Sequence, residues 1–387
     1  MIRCGILAIG NTGSVIGALA NNNNIPVLGI NSSMMDIDAI KSKTKINIIC
    51  IGDTFGAGMN RNKAKEYIKA NMKSLIGTKE FTDFMDSVDV VFVVNSTSGG
   101  TGSGASLVIT DVLSHYYSED KMIKEGLTPK YFINIGILPS LDESVGAQRN
   151  TIEYLREMVD LKLSYLLFDN NNSKSKSTDE TFASVNKAVV DVIRIFRGEF
   201  TKISQYGMID EADLLRIILT PGMIFVNKLD NILEENIKTD QSLEDMLLNN
   251  INTNNLMVNL DRDKIVKRRG IIANISENLR PYYDKDLHKI TEVFGEPIEQ
   301  FNHFAINEDN DSRANYLILI MSGLSLPNNR LRMIIDRVSE AEAALAKTQE
   351  NSLLDTAFEK IQAYSNKSTT TIKDTSDFDM DDIMSKY

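Results

Sequence analysis

The stretch Val88-Asp89-Val90-Val91-Phe92-Val93-Val94-Asn95-Ser96-Thr97-Ser98-Gly99-Gly100-Thr101-Gly102-Ser103-Gly104 decides the fold. Together with the preceding Ser87, its first part gives Ser87 to Asn95, an almost unbroken apolar run, which predicts a strand buried on both faces of a parallel sheet. Ser98 to Gly104 then supplies small residues that let the backbone wind tightly with several N–H groups turned inward, and a helix opens near Ala105. The positive end of that helix and the inward amides favour an anion of phosphate size. Thr101 and Ser103 carry hydroxyls that can donate to the same oxygens, and no Lys stands where a Walker-type loop requires one.

Working outward, the same grammar repeats. Ile2 to Ile9 is an apolar run ending in Gly10-Asn11-Thr12-Gly13-Ser14, and Lys45 to Ile51 precedes Gly56-Ala57-Gly58-Met59-Asn60. Tyr131 to Leu138 precedes Pro139-Ser140-Leu141-Asp142-Glu143, and Ile25 to Ile30 makes a further short strand. Helical patterns at Lys63 to Leu75, Gly104 to Tyr117 and Asn150 to Leu163 separate these strands. The alternation predicts a doubly wound α/β domain, whose ligands sit at the C-terminal ends of the strands, where all these loops fall.

Asp169 to Ser177 is polar and reads as a loop, and Thr181 to Phe200 carries Phe182, Val185, Val189, Val192, Ile193 and Phe196 at helical spacing. A second, smaller α/β domain follows, with a helix at Asp210 to Leu219, strands at Gly222 to Val226, Asn255 to Leu260, Gly270 to Ile275 and Asn315 to Ser322, and a helix around Asp284 to Phe294. Lys267-Arg268-Arg269 reads as a solvated strand end. Leu331 to Gln349 predicts an exposed helix that either stops there or continues to Ala363, and the acidic, Ser/Thr-rich end predicts disorder. The expected parts are 1–180 for the nucleotide domain, 181–206 for a core helix, 207–330 for the second domain, 331–364 for the terminal helix and 365–387 for the tail.

The chain has 387 residues and a formal net charge of -11, which excludes general attraction to nucleic acid or anionic lipid. Cys4 and Cys50 are too few for a disulfide framework or a zinc site and read as buried thiols, and His115, His288 and His303 lack partners at metal spacing. No metal-ligating residue is therefore assigned. Without a signal-like or membrane-length apolar run, a cytoplasmic protein with no membrane partner is expected.

The loops resemble those of the tubulin and FtsZ superfamily of polymerising GTPases. Ser98 to Gly104 is similar to its G-G-G-T-G-S/T-G signature, with Ser98 for the first glycine; Gly10 to Gly17 resembles the tubulin G-Q-C-G-N-Q-I-G pattern, and Gly56 to Asn60 the FtsZ G-A-G-G-N segment. The resemblance spans about residues 1–330. It implies GTP or GDP with Mg²⁺: Ser98, Gly99, Gly100, Thr101, Gly102 and Ser103 hold the α- and β-phosphates, and Ala57, Gly58, Met59 and Asn60 sense the γ-phosphate. It implies too that Gly10, Asn11, Thr12, Gly13 and Ser14 contact phosphate, its Mg²⁺ and nucleoside, that Glu143 lies near the ribose, and that Asn186 reads guanine.

Asp210 and Asp213 share one helical face. By themselves they read as an N-cap and a first-turn acid. The resemblance implies instead that they are the catalytic acids, reaching into the neighbouring subunit of a head-to-tail filament. The family's Asn two positions before the first acid is Met208 here, so water positioning falls to the two acids or to another donor. The long charged helix and short tail resemble the TubZ branch of plasmid and bacteriophage segregation systems, which implies a DNA-binding adaptor of the TubR type on centromere-like DNA. A phage tubulin that positions viral DNA, or a dinucleotide-dependent oxidoreductase using Gly10 to Gly17, are the rivals.

Overall fold

The computed structural model describes residues 2–53, 55–175, 177–199, 209–237, 242–261, 265–283, 287–307 and 314–350. The strands β1 (Cys4–Ile9), β2 (Val27–Asn31), β3 (Asn47–Cys50), β4 (Val90–Ser96), β5 (Tyr131–Leu138), β6 (Ser164–Asp169), β7 (Gly222–Asp230), β8 (Ile265–Ile275), β9 (Glu296–Ile306) and β10 (Tyr316–Leu324) form one mixed sheet, ordered β3-β2-β1-β4-β5-β6-β7-β10-β8-β9. The first six strands are parallel. β7 joins β6 in parallel through Ser164↔Gly222 and Tyr165↔Met223, and β10 lies antiparallel between β7 and β8.

The helices are α1 (Gly10–Asn21), α2 (Met34–Lys41), α3 (Arg61–Ile76), α4 (Lys79–Ser87), α5 (Thr101–Tyr116), α6 (Glu119–Lys124), α7 (Val145–Asp160), α8 (Thr178–Phe196), α9 (Glu211–Ile218), α10 (Leu243–Thr253), α11 (His288–Phe294) and α12 (Asn328–Glu350). The described residues up to Val338 make one compact unit, and residues 339–350 fall outside it. No helix among the described residues is long and apolar enough to cross a membrane.

Alternation along β1 explains why the sheet is covered on both sides. Leu7 and Ile9 join one apolar cluster with Ile68 and Phe81, whereas Ile6 and Ala8 join another with Phe92 and Val189. In α8 the apolar stripe holds, since Val185, Val189, Ile193 and Phe196 are all buried, and Phe196 stacks on Phe92 of β4 with centroids 5.8 Å apart. Each such side chain contributes about 1.5–3 kcal/mol by leaving water.

Several readings of the sequence change. Asn255 to Leu260 is not a strand: its one ladder contact is an isolated bridge, Phe168↔Met257. Asn255 instead spends its own amide on Met257, accepting from its N–H and donating to its carbonyl, both at 2.9 Å, a local substitute for strand pairing. The basic triplet sits within β8, where Arg268 is paired with Glu299 and Arg269 is buried against Gln300 and Thr291. β6 and β9 are additional strands, and Cys50 is only half-buried in β3. The helix expected around Asp284 runs from His288, residues 284–286 and the reach of α12 toward Ala363 lying outside the described residues together with the tail.

Candidate functional site

The strand order reverses direction between β1 and β4, and that switch point is where a doubly wound sheet opens a crevice at its C-terminal edge. β1 passes directly into α1, and β4 reaches α5 through Thr97 to Gly100. Two helix N-termini therefore meet over the crevice. Gly10, at φ +74°, lies so close to the start of α5 that a Cβ there would stand 2.9 Å from the Gly102 amide nitrogen. Only glycine fits both the dihedral and the approach.

The loop after β3 closes the crevice from the other side. A Cβ on Gly100 would meet the Asn60 nitrogen and Met59 Cα at 2.9 Å, so the two loops are in backbone contact. Asn60 caps α3 by accepting from the Lys63 N–H at 3.1 Å. Asn150 of α7 clasps the pair, its Nδ2 donating to the carbonyls of Met59 at 2.9 Å and Ser98 at 2.8 Å. Arg61, buried, ties α3 to α7 through Glu153 and Glu157, both at 2.9 Å.

The result is a cavity of about 330 Å³ lined by Gly10, Asn11, Thr12, Asn31, Ser33, Asp36, Phe55, Gly56, Ala57, Gly58, Met59, Ser96 and Ser98 to Gly102. Its wall is backbone and small polar groups, and Asp36 is its one ionisable lining residue among the described residues. Thr101 Oγ1 lies 2.7 Å from Ser32 Oγ, and Ser98 Oγ 2.8 Å from Ser96 Oγ. Two expected contacts are spent elsewhere: the Ser103 hydroxyl donates to the Gly99 carbonyl, and Ser14 Oγ to the Gly10 carbonyl at 2.8 Å. Gly13 packs against β4, so of the first loop it is Gly10, Asn11 and Thr12 that face the cavity.

Asn31, at the end of β2, is 1% exposed; its Oδ1 accepts from the Ser32 N–H at 2.8 Å, while its Nδ2 has no partner among the described residues. No group of three His, Cys, Asp or Glu among the described residues could hold a metal by itself. A phosphate-bound Mg²⁺ fits, because that ion keeps waters and takes one or two protein oxygens, here with Asp36 as the carboxylate in the wall.

Beyond β5 and β6 lies a second polar cavity of about 380 Å³, lined by Ser140, Asp142, Glu143, Asn170, Asn171, Ser177, Thr181 and Phe182 among others. Glu143 Oε1 accepts from the Ser140 N–H at 2.9 Å, which closes its loop into a turn. Asn186, one turn beyond Phe182 on α8, lines a neighbouring groove with Val15 and Leu19 of α1. Asp210 and Asp213 line none of these spaces. Asp210 is exposed and caps α9, its Oδ1 accepting from the Asp213 N–H at 2.8 Å; Met208 lies outside the described residues.

Sequence reasoning missed Asn31, Ser33, Asp36 and Phe55 as cavity residues. The usable signal was position: they follow the second and third strands of a parallel sheet, whose C-terminal ends hold the ligand, although no motif marks them.

Residues 14–176 match the family described as Tubulin/FtsZ family, GTPase domain. The tubulin-like protein CetZ of Pyrococcus furiosus is 26% identical over 198 residues, 50% of this chain and 51% of the relative. The tubulin-like protein TubZ of Clostridium botulinum C phage is 24% identical over 232 residues, 59% of each. The chain thus spans about half the length of the curated relatives it matches. The crystal structure of Clostridium botulinum phage c-st TubZ superposes with a TM-score of 0.67 at 16% identity, covering 88% of this chain and 99% of that one.

Proposed function

We propose that this chain, whose residues 14–176 match the family described as Tubulin/FtsZ family, GTPase domain, binds GTP with Mg²⁺ at the β1/β4 switch point, assembles head to tail and hydrolyses the nucleotide at the contact between copies. One observation carries the reading. Two helix N-termini converge on a lysine-free cavity of inward amides and hydroxyls, whereas the acids suited to orient water, Asp210 and Asp213, stand outside it on the same chain. The phosphates bind along Gly99 to Gly102 and Gly10 to Thr12, with Ala57 to Met59 at the γ end and Glu143 and Asn186 on the nucleoside side. Mg²⁺, when bound, screens the phosphate charge; phosphoryl transfer then depends chiefly on positioning and electrostatics.

A carboxylate from the next copy orients the attacking water, which makes assembly a condition of turnover. Such a contact is heterologous and propagates as a filament unless it closes into a ring. We place the filament in segregation of plasmid or phage DNA through a small adaptor of the TubR type, because a net charge of -11 disfavours direct contact with DNA. Sedimentation and electron microscopy with GTP, GDP or NAD test the proposal: pelleting and filaments that require GTP are expected, and nucleotide-independent behaviour or binding of NAD alone overturns it.

A further inference from the structure

α12 begins with a fixture that no motif announces. Asp261 caps it from outside, accepting from the Asn328 N–H at 2.6 Å. Two residues on, the buried Arg330 guanidinium holds the buried Asp169 carboxylate with both prongs, Nε to Oδ2 at 2.6 Å and Nη2 to Oδ1 at 3.0 Å, and donates to the Pro139 carbonyl at 2.6 Å. Asp169 is the last residue of β6 and also accepts from the Asn171 N–H at 2.9 Å; Pro139 is the first residue after β5. Those two strand ends lead straight into the loops with Ser140, Glu143, Asn170 and Asn171, the walls of the second polar cavity.

A buried ion pair is a poor stability device, since apolar residues of similar volume often serve as well. This one is also incompletely satisfied, because Arg330 Nη1 has no partner among the described residues. What an apolar pair lacks is the fork geometry that fixes two loop bases at once. We propose that Arg330 is a positioning residue for the sugar-and-base half of the nucleotide site, acting through Asp169 and Pro139, and that it couples occupancy of that half to the start of α12. This rests on the nucleotide reading above. The phosphate half hangs on β1, β3 and β4 and does not depend on the fork.

The test compares the binding of GTP and of inorganic triphosphate, each with Mg²⁺, by calorimetry. Arg330→Met is expected to weaken GTP about tenfold while triphosphate affinity stays within about twofold. Removing one partner of a buried pair risks unfolding, so Asp169→Leu/Arg330→Met is measured beside it; with both charges gone it is expected to melt like the parent and to show the same GTP-selective loss. Equal loss for both ligands, or unchanged GTP affinity in the folded double variant, overturns the proposal. If the unaltered chain binds triphosphate but not GTP, or neither, the nucleotide reading itself has failed and the inference with it.

Discussion

Ser32 Oγ and Thr101 Oγ1 lie 2.7 Å apart and join the loop after β2 to the first residue of α5. The bond keeps the Thr101 hydroxyl at the cavity wall and sets which of its lone pairs and proton remain for a guest. Thr101→Val preserves the shape and removes the hydroxyl. With a hydrogen bond worth about 0.5–1.5 kcal/mol, GTP affinity is expected to fall roughly three- to tenfold, and the melting temperature to drop modestly because the buried Ser32 hydroxyl loses the Thr101 partner. Fluorescence titration with a labelled nucleotide measures it; an unchanged affinity removes Thr101 from the site.

Gly99 and Gly100 are neighbours with opposite surroundings. A Cβ on Gly99 meets nothing within 4 Å, whereas one on Gly100 meets Met59 and Asn60 backbone at 2.9 Å. Gly100→Ala is therefore expected to destabilise the fold by about 1–3 kcal/mol through overpacking. Gly99→Ala should leave melting unaffected and weaken GTP binding, because its methyl enters the space proposed for a phosphate. Thermal denaturation with and without GTP separates the two, and loss of stability in Gly99→Ala contradicts the assignment.

The Asp89 carboxyl is held below the ordinary value of 3.8 chiefly by its hydrogen bond from the Arg3 guanidinium, with the Arg3 and Lys130 charges adding to it against partial burial. A depressed carboxyl stabilises the native state above its unfolded value, and that contribution is lost as pH falls through the native one. Asp89→Asn is expected to lose less than about 1 kcal/mol at neutral pH, the pair being partly exposed, and to converge with the parent once the pH has fallen through the lowered native value. Urea denaturation across pH 2.5–7 reads this out; parallel curves at all pH values would show that the pair carries no linked stability.

Why some of this was legible in the sequence and some was not follows from what each segment is bonded to. β4 reads directly because all of Val90 to Val94 is buried on both faces, and α8 because its stripe has a period that only one structure satisfies. β9 hides because it is an edge strand: Glu296-Pro297-Ile298-Glu299-Gln300 mixes exposed and half-buried positions, with Ile298 itself 73% exposed. Asn31 and Arg330 hide for a different reason. Asn31 reaches the cavity only because its strand end does, and Arg330 bonds to Asp169, 161 residues away, so neither leaves a local pattern.

Asp210 carries two readings that one substitution can separate. As the N-cap of α9 its Oδ1 accepts from the Asp213 N–H at 2.8 Å, a role that asks only for a short side-chain oxygen. As the water-orienting acid of a neighbouring site it must be charged. Asn caps as well as Asp, while Ala costs about 1 kcal/mol of helix stability. Asp210→Ala should bind GTP and assemble but fail to turn it over, leaving long-lived filaments, with a slightly lower melting temperature. Asp210→Asn should match the parent in melting and assembly and still lose turnover by at least about a hundredfold, the typical scale of general acid-base catalysis. Phosphate release and light scattering on the same samples decide the matter: full activity in Asp210→Asn leaves Asp210 as a helix cap alone, and loss of activity in Asp210→Ala with recovery in Asp210→Asn traces the defect to the cap.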